Sequence, residues 1–385
     1  MHADFMEQNS QSHGAVHGGD IYSHAVKYDF SVSLNPLGMP EGVAKTIQQA
    51  AEEEVRSPAY PHYDNSSLKE AIGGFLNRGS GLQERHPAQG KDAKDRILVG
   101  NGASELLMAV CQALRPGKAL IPVPSFYGYE RACRAVGSDI LFFPMKEEEA
   151  FLPGERLFSA CTGDCDLMLL ANPNNPTGRL MKRDFLRRIL EQCRRKEITV
   201  LLDESFIGFC DGKESMYGAA EEYDNLLILG SFTKLFSIPG IRLGYLYGAD
   251  RALIGRIGAL LPEWNVSSIA EKTGMACVRE TDWIPLSQNA LQRERAFLRQ
   301  ELEKSAEANP FAELKVYDSD ANYLMLCCRE PLYEKLLGQG ILIRDLAGVR
   351  GLGRGFYRIG IRMHEENEVL IDAINRLLLS GDFIE

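Results

Sequence analysis

One segment of the chain best indicates its fold and chemistry: Ser231-Phe232-Thr233-Lys234-Leu235-Phe236-Ser237-Ile238-Pro239-Gly240-Ile241-Arg242-Leu243-Gly244-Tyr245. An apolar run at residues 226–229 precedes it and predicts a buried strand that carries Lys234 into a turn. The pair Pro239-Gly240 then breaks the regular pattern. Residues 242–247 predict another strand, so the lysine lies in the connection between two predicted strands.

The residues around this lysine suit a ligand that carries both an aldehyde and a phosphate. An amine forms a Schiff base with an aldehyde, while the hydroxyls of Ser231 and Thr233 and the guanidinium of Arg242 suit a phosphate dianion. Pyridoxal phosphate has both groups. The alternative is a surface lysine flanked by ordinary capping hydroxyls.

Apolar runs of strand length recur through the middle of the chain, at residues 97–99, 119–121, 140–143, 167–171, 199–202 and 226–229. Helical periodicity fills most of the gaps between them, which predicts a mostly parallel sheet covered on both faces. Residues 286–304 then predict a charged helix, and short strands follow at 323–327, 341–343 and 357–361. We therefore expect three parts: an arm with part of a small domain (1–42), a large cofactor-binding domain (43–265) and a C-terminal small domain (266–385).

Composition excludes several classes of protein. The chain has 385 residues and a formal net charge of −10, which disfavours a nucleic-acid-binding surface. We expect no membrane partner, because no apolar run reaches the length of a spanning helix and residues 1–17 lack the apolar core of a signal peptide. The nine cysteines show neither a disulfide framework nor a metal-binding pattern, as is typical of the reducing cytoplasm.

Two predicted strands lead directly into polar residues. Asp203 closes the run 199–202, which puts a carboxylate at the carboxyl end of a buried strand, where open α/β sheets bind ligands. It could pair with a pyridine nitrogen, or it could simply cap a turn. The loop 172–178, Asn-Pro-Asn-Asn-Pro-Thr-Gly, follows the run 167–171. It is rich in turn-forming residues, and an asparagine held there could also donate its amide to the cofactor.

Two further loops follow predicted strands. Gly100-Asn101-Gly102-Ala103-Ser104-Glu105 precedes a predicted helix, whose first amides and dipole suit a phosphate, although an ordinary strand-to-helix turn is the alternative. Pro124-Ser125-Phe126-Tyr127-Gly128-Tyr129 follows the next strand. An aromatic ring there could stack on the pyridine ring or could belong to the core, and both Phe126 and Tyr129 are candidates.

These motifs resemble the class I and II aminotransferases, the fold-type I enzymes that depend on pyridoxal phosphate. The resemblance covers nearly the whole chain and is greatest towards histidinol-phosphate aminotransferases and the related threonine-phosphate decarboxylases of cobalamin biosynthesis. It implies an α/β fold in which a large domain, with a mostly parallel seven-stranded sheet between helices, adjoins a small α+β domain. It also implies a cytoplasmic homodimer with shared active sites.

The resemblance assigns roles to individual residues. Lys234 and Asp203 are the catalytic residues, Asn175 donates to the phenolate oxygen of the cofactor, and Phe126 stacks on its ring. Tyr60 resembles the tyrosine that reaches the cofactor phosphate of the neighbouring subunit, although a surface or core tyrosine is the alternative. The remaining cofactor-binding residues are assigned to the phosphate, namely Gly102, Ala103, Ser104, Ser231, Thr233 and Arg242.

The resemblance also assigns residues to the substrate. Arg358 takes the α-carboxylate and Arg344 a distal anion, with a surface salt bridge as the alternative for each. His17 and Gly18 resemble an N-terminal signature that holds a substrate phosphate in the threonine-phosphate decarboxylases. Asn35 is the remaining substrate-binding candidate.

Two reactions are open to such a site. If the substrate carboxylate stands out of the plane of the cofactor ring, carbon dioxide leaves. If it lies near the plane, the α-proton leaves with Lys234 as base, and transamination follows. We expect a decarboxylase of the L-threonine O-3-phosphate type, with a histidinol-phosphate or related aminotransferase as the alternative. A non-catalytic, effector-sensing region of a transcription regulator is a remote alternative, because the first 30 residues are too short and insufficiently basic for a DNA-binding module.

Overall fold

A sheet of seven strands runs through the larger part of the protein. The computed structural model describes residues 19–79, 94–210 and 212–379. The strands of this sheet are β2 (Ile97–Gly100), β3 (Lys118–Val123), β4 (Asp139–Pro144), β5 (Leu167–Ala171), β6 (Thr199–Asp203), β7 (Leu226–Ser231) and β8 (Gly244–Gly248). Their order is β2-β8-β7-β6-β5-β3-β4, and β8 alone runs antiparallel to its neighbours. Each predicted central strand is present within a few residues of its expected bounds.

Helices flank this sheet, and alternate strand residues pack on its two faces. Leu226 and Ile228 belong to one hydrophobic cluster, whereas Leu227 and Leu229 belong to another. Burial on both faces explains why these strands appear in the sequence as continuous apolar runs. The helices are α1 (Glu41–Arg56), α2 (Ser66–Gly79), α3 (Ala103–Leu114), α4 (Gly128–Ala135), α5 (Arg156–Ala160), α6 (Arg183–Arg195), α7 (Phe232–Leu235), α8 (Arg251–Gly258), α9 (Ser268–Cys277), α10 (Trp283–Ala308), α11 (Leu332–Leu337) and α12 (His364–Leu379).

A second, antiparallel sheet lies in the C-terminal part of the chain. Its strands are β9 (Lys315–Val316), β10 (Tyr323–Cys327), β12 (Arg344–Asp345) and β13 (Phe356–Gly360), in the order β12-β13-β10-β9. Strand β1 (Tyr28–Asp29) pairs in parallel with β11 (Ile341–Leu342). This pairing attaches the N-terminal arm to the C-terminal part, while the three domain boundaries expected from the sequence stay predictions.

Two local predictions differ from the structure. Lys234 lies on the short helix α7, not in a turn, because the Ser231 side chain accepts a hydrogen bond from the Thr233 amide and caps the helix. The run 341–343, predicted as one strand, divides at Ile343, since β11 pairs with β1 and β12 pairs with β13. Among the described residues, no helix is both long and apolar enough to cross a membrane, and the cytoplasmic location stays a prediction.

Candidate active site

The strand ends of the large sheet meet at one cavity of about 350 Å³. Asp203 is in register with Ala171, and Gly244 is in register with both Ser231 and Gly100. The loops that follow β2, β5, β6 and β7 therefore emerge at the same edge of the sheet, where ligands of open α/β sheets bind. Groups that are more than a hundred residues apart in the chain are brought together here.

Most of the predicted site residues line this cavity, namely Ala103, Ser104, Phe126, Asn175, Asp203, Ser231, Thr233, Lys234, Arg242, Arg344 and Arg358. Gly102 immediately precedes α3 beside it. Asn35 and Tyr60 are absent from the lining. His17 and Gly18 lie outside the described residues.

Lys234 combines burial with a cationic neighbourhood. The pKa of its amine is lowered to about 8, chiefly by burial and also by the nearby guanidinium groups of Arg358 and Arg242, while Asp203 opposes them. A lowered pKa increases the neutral, nucleophilic fraction of the amine near neutral pH. The residue is therefore prepared to react with an aldehyde.

Asp203 is held by two hydrogen bonds. The Tyr129 hydroxyl donates to Oδ2 at 2.8 Å, and the Ser205 amide donates to Oδ1 at 2.9 Å. Burial raises the pKa of this carboxyl, and the two hydrogen bonds oppose that rise by favouring the ionised form. A cationic ring nitrogen at this carboxylate would favour the ionised form further, which fits the pyridine of pyridoxal phosphate.

The start of α3 and the region around Lys234 form a cradle that suits a phosphate. Gly102 has a φ of +82°, and a Cβ at this position would lie 2.4 Å from an Arg242 guanidinium nitrogen. Only glycine allows this approach. The hydroxyl oxygens of Ser231 and Thr233 lie 2.7 Å apart on the same cavity. Helix amides, two hydroxyls and a guanidinium together match the phosphate of the predicted cofactor.

Two aromatic residues that the sequence left as alternatives have different positions. Phe126 lines the cavity, and its ring packs edge-to-face against Tyr129 at 5.5 Å. A Cβ at Gly128 would lie 2.2 Å from the Phe126 ring, so the glycine leaves room for it. The Tyr129 hydroxyl is engaged with Asp203. Sequence reasoning missed this hydrogen bond, because its two residues lie 74 positions apart in the chain.

Arg358, on β13, is held by hydrogen bonds to residues that line the cavity. Its guanidinium donates to Asn175 Oδ1 at 2.6 Å and to the Ser31 carbonyl at 2.9 Å, and it lies 5.1 Å from the centre of the Tyr323 ring. Burial lowers its pKa. Because the Asn175 oxygen accepts from Arg358, the amide nitrogen is the group that Asn175 can offer to a ligand.

Arg344, on β12, is in register with Arg358 and lines the same cavity. Its pKa is lowered to about 10, chiefly by burial and also by the charge of Arg358. Among the described residues, it forms no ion pair with a carboxylate. A partly buried guanidinium without an acid partner suits an anion supplied by a ligand.

Asn35 and Tyr60 lie elsewhere. The Asn35 amide donates to the Leu235 carbonyl at 2.8 Å and to the Ser287 hydroxyl at 2.7 Å, so its side chain joins α7 to α10. Tyr60 is 81% exposed, and its ring lies 4.8 Å from that of Trp264. Neither position brings these side chains to the cavity of the same chain.

Comparison with known proteins agrees with this arrangement. A sequence model of the family described as aminotransferase class I and II matches residues 25–374. The threonine-phosphate decarboxylase of Salmonella typhimurium is 32% identical over 375 residues, which cover 94% of this chain and 97% of that protein. The histidinol-phosphate aminotransferase of Desulfitobacterium hafniense is also 32% identical, over 354 residues, which cover 89% of this chain and 90% of that protein.

A solved structure extends the likeness to the fold. The histidinol-phosphate aminotransferase from Clostridium acetobutylicum has a TM-score of 0.81 and 27% sequence identity to this chain, and the match covers 92% of this chain and 99% of that one. The predicted fold class is thereby confirmed. Relatives with different reactions are equally similar in sequence, so the reaction must be argued from the site.

Proposed function

The chain belongs to the aminotransferase class I and II family, and we propose that it is a pyridoxal-phosphate-dependent decarboxylase of a phosphorylated amino acid, with L-threonine O-3-phosphate as the best candidate substrate. The similarity to a threonine-phosphate decarboxylase along nearly the whole length of both chains supports this substrate class. The roles of the individual cavity residues are part of the proposal.

One observation carries the choice of substrate: two arginines share the cavity of Lys234. Arg358 is anchored by Asn175 and the Ser31 carbonyl, which suits a fixed contact with an α-carboxylate. Arg344 forms no ion pair among the described residues and would bind a second anion. An amino acid with a phosphorylated side chain has one anionic group for each guanidinium.

The remaining cavity residues would serve the cofactor and the proton. When bound, pyridoxal phosphate supplies an acceptor for the electrons of the bond that breaks at the substrate's α-carbon. Asp203 would keep the pyridine ring protonated, and Phe126 would fix its plane. The amides of Ala103 and Ser104 would hold the phosphate. After carbon dioxide has left, Lys234 would return a proton to the α-carbon.

Transamination by a histidinol-phosphate or related aminotransferase is the second candidate, and the structural likeness to such an enzyme favours it. In that reaction Lys234 would remove the α-proton instead of returning one after decarboxylation. The two reactions differ in which bond to the α-carbon is held perpendicular to the cofactor ring. Arg358 and Asn175 would determine this orientation, because they hold each other in place at the carboxylate end.

Product analysis distinguishes the two candidates. The purified holoenzyme is incubated with threonine phosphate, with and without 2-oxoglutarate. Carbon dioxide and aminopropanol phosphate formed without the keto acid would support decarboxylation. Glutamate formed only in its presence would support transamination instead. If neither product appears, the substrate class is wrong, and the absorption spectrum of the bound cofactor still tests the cofactor assignment.

We also propose that the protein works as a homodimer in which Tyr60 reaches the cofactor phosphate of the neighbouring subunit. Tyr60 is 81% exposed and Tyr63 68% exposed, and both rings pack against Trp264, itself 40% exposed. A cluster of exposed aromatic rings is typical of a surface that another chain covers. Sedimentation velocity of the wild-type protein tests the dimer.

A further inference from the structure

A loop of the C-terminal part covers one side of the cavity. This covering loop, residues 346–352, connects β12 to β13, and the Leu346 amide donates to the Phe356 carbonyl at 2.9 Å. Leu346 and Val349 line the cavity together with Arg344 and Lys234. The loop therefore supplies an apolar wall beside the guanidinium that we assign to the distal anion.

The covering loop is fastened to the large sheet by Arg350. Its guanidinium donates to both carboxylate oxygens of Glu130, at 2.9 and 3.0 Å, and it lies 4.1 Å from the centre of the Phe142 ring. Glu130 belongs to α4 and Phe142 to β4. A planar guanidinium suits both contacts, because it pairs with a carboxylate through two parallel hydrogen bonds and stacks on an aromatic face.

The backbone of the loop is seated at the same place. Gly351 has a φ of +88°, and a Cβ there would lie 3.1 Å from the Pro124 nitrogen and 3.3 Å from the Val123 carbonyl carbon. A larger residue would push the loop away from the end of β3. The backbone of the covering loop at Gly351 therefore lies close to the backbone of Val123 and Pro124, next to Arg350.

The covering loop also borders a second cavity, of about 300 Å³. Phe126, Tyr127 and Val349 line both cavities, whereas Arg350 and Glu130 line only the second. Release of Arg350 would free Val349 to move, and the wall between the two cavities would be lost.

We propose that Arg350 is a positioning residue: through its contacts with Glu130 and Phe142, it holds Val349 and Leu346 as the cavity wall and so controls how tightly the substrate is bound. The substrate part of this inference rests on the proposed function, while the position of the loop does not. Arg350 makes no contact with the reacting groups, so its loss is expected to change KM and leave kcat nearly unchanged.

The test uses the full-length holoenzyme and the variants Arg350→Gln and Glu130→Gln. With O-phospho-L-threonine, Arg350→Gln is expected to raise KM about fivefold to tenfold, because an exposed ion pair and a cation–π contact are lost together. Glu130→Gln is expected to raise KM about twofold to fivefold, because Arg350 keeps its contact with Phe142. In both variants kcat is expected to stay within about twofold of wild type. The double variant is expected to be little worse than Arg350→Gln alone, since Arg350→Gln already removes the contact with Glu130. An unchanged KM in Arg350→Gln would overturn the proposal.

Two matched controls separate the contact from general effects. Arg354→Gln removes the same charge from the same connection, where the side chain is exposed and forms no ion pair among the described residues. Arg134→Gln removes the other partner of Glu130, which donates to it at 2.8 Å, and leaves Arg350 in place. Both are expected to keep the wild-type KM, and a rise in either equal to that of Arg350→Gln would contradict the assignment.

Hydrogen–deuterium exchange gives a readout that needs no turnover. Amides of residues 346–352 are expected to exchange about fivefold faster in Arg350→Gln than in wild type or Arg354→Gln. In the proteins that keep Arg350, opening of the loop must break its contacts with Glu130 and Phe142, whereas in Arg350→Gln these contacts are already absent. Equal exchange in all three proteins would overturn the role of Arg350. If wild type fails to turn over O-phospho-L-threonine while exchange rises as expected, the proposed substrate is wrong and the loop assignment stands.

Discussion

At the cofactor end of the cavity, built by the large sheet, the carboxylate and hydroxyl groups are hydrogen-bonded to protein groups, whereas at the substrate end, built by the small sheet, one guanidinium lacks an acid partner. Asp203 accepts from Tyr129 and Ser205, and the Ser231 hydroxyl lies within hydrogen-bond distance of that of Thr233. Arg344 forms no ion pair among the described residues. Asp203, Ser231 and Thr233 are therefore preorganised, whereas Arg344 can pair with an anion that a ligand supplies.

The cavity lining contains more cationic than anionic side chains. Lys234, Arg242, Arg344 and Arg358 line the cavity, and Asp203 is the one carboxylate among the described lining residues. The chain as a whole has a formal net charge of −10, so positive charge is concentrated where the ligands would bind.

The largest effect is expected at the cofactor end. Lys234→Ala removes the amine that captures the aldehyde, so the Schiff-base absorption band is expected to disappear and kcat to fall by at least about a thousandfold. Lys69→Ala is the matched control, because burial also lowers the pKa of Lys69 and its side chain lies outside the cavity lining. An unchanged spectrum in Lys234→Ala would remove the central assignment.

At the substrate end, Arg344→Gln is expected to weaken binding of phosphorylated substrates and spare the cofactor. Loss of a partly buried charge-assisted contact predicts a rise in KM of about a hundredfold for threonine phosphate. L-Threonine, which lacks the phosphate, is the control ligand, and its inhibition constant is expected to change little. Equal losses for both ligands would show that Arg344 does not distinguish the distal anion.

The two ends also differed in how far the sequence could predict them. Asp203, Asn175 and Lys234 follow buried apolar runs, and parallel strands deliver their carboxyl ends to one edge, so local pattern indicated that these residues lie together, while their roles came from the family resemblance. Asn35 was assigned to the substrate, yet its amide bonds Leu235, 200 positions away. No periodicity in the sequence indicates a contact of that range.

The small sheet was harder to predict from the sequence, because contacts between distant residues determine its pairing. The apolar run through Ile343 has the pattern of one strand, because a change of pairing partner leaves the side-chain alternation intact. The same limit applies to Val349 and Leu346, whose part in the cavity wall depends on the Arg350 contact with Glu130, 220 positions away. The placement of polar residues at strand ends was predictable, whereas cavity walls built between the two sheets were not.

A smaller effect is expected from pH at the cofactor end. Since the pKa of Lys234 is lowered to about 8, capture of pyridoxal phosphate by the apoprotein should slow about tenfold for each pH unit below that value and level off above it. Between about 8 and about 10.4, the unfolded chain holds this proton more tightly than the folded one, so apoprotein stability should rise with pH. Stopped-flow absorbance checks the first trend and chemical denaturation the second; a capture rate independent of pH would contradict the lowered pKa.

The smallest effect is expected at the surface of the proposed dimer. Tyr60→Phe removes one hydroxyl and is expected to weaken pyridoxal phosphate binding about fivefold, as the loss of one hydrogen bond predicts. Tyr22→Phe is the matched control, because Tyr22 is 93% exposed and lies outside the aromatic cluster. Equilibrium dialysis of the cofactor measures both variants.

Mixed dimers decide whether Tyr60 serves its own site or that of the other subunit. If sites are shared, a dimer of one Lys234→Ala chain and one Tyr60→Ala chain has one site with both residues intact and one site with neither. With pyridoxal phosphate limiting, equal mixing after reversible dissociation should then raise activity above that of the unmixed chains, because half of the dimers are mixed and half of their sites, about a quarter of the total, have both residues intact. If Tyr60 serves its own chain, every intact Lys234 in the mixture lies in a chain that carries Tyr60→Ala. Activity would then stay at the level of the Tyr60→Ala chains alone. That outcome would place the cofactor phosphate wholly within one subunit and confine the difference between the two ends of the cavity to a single chain.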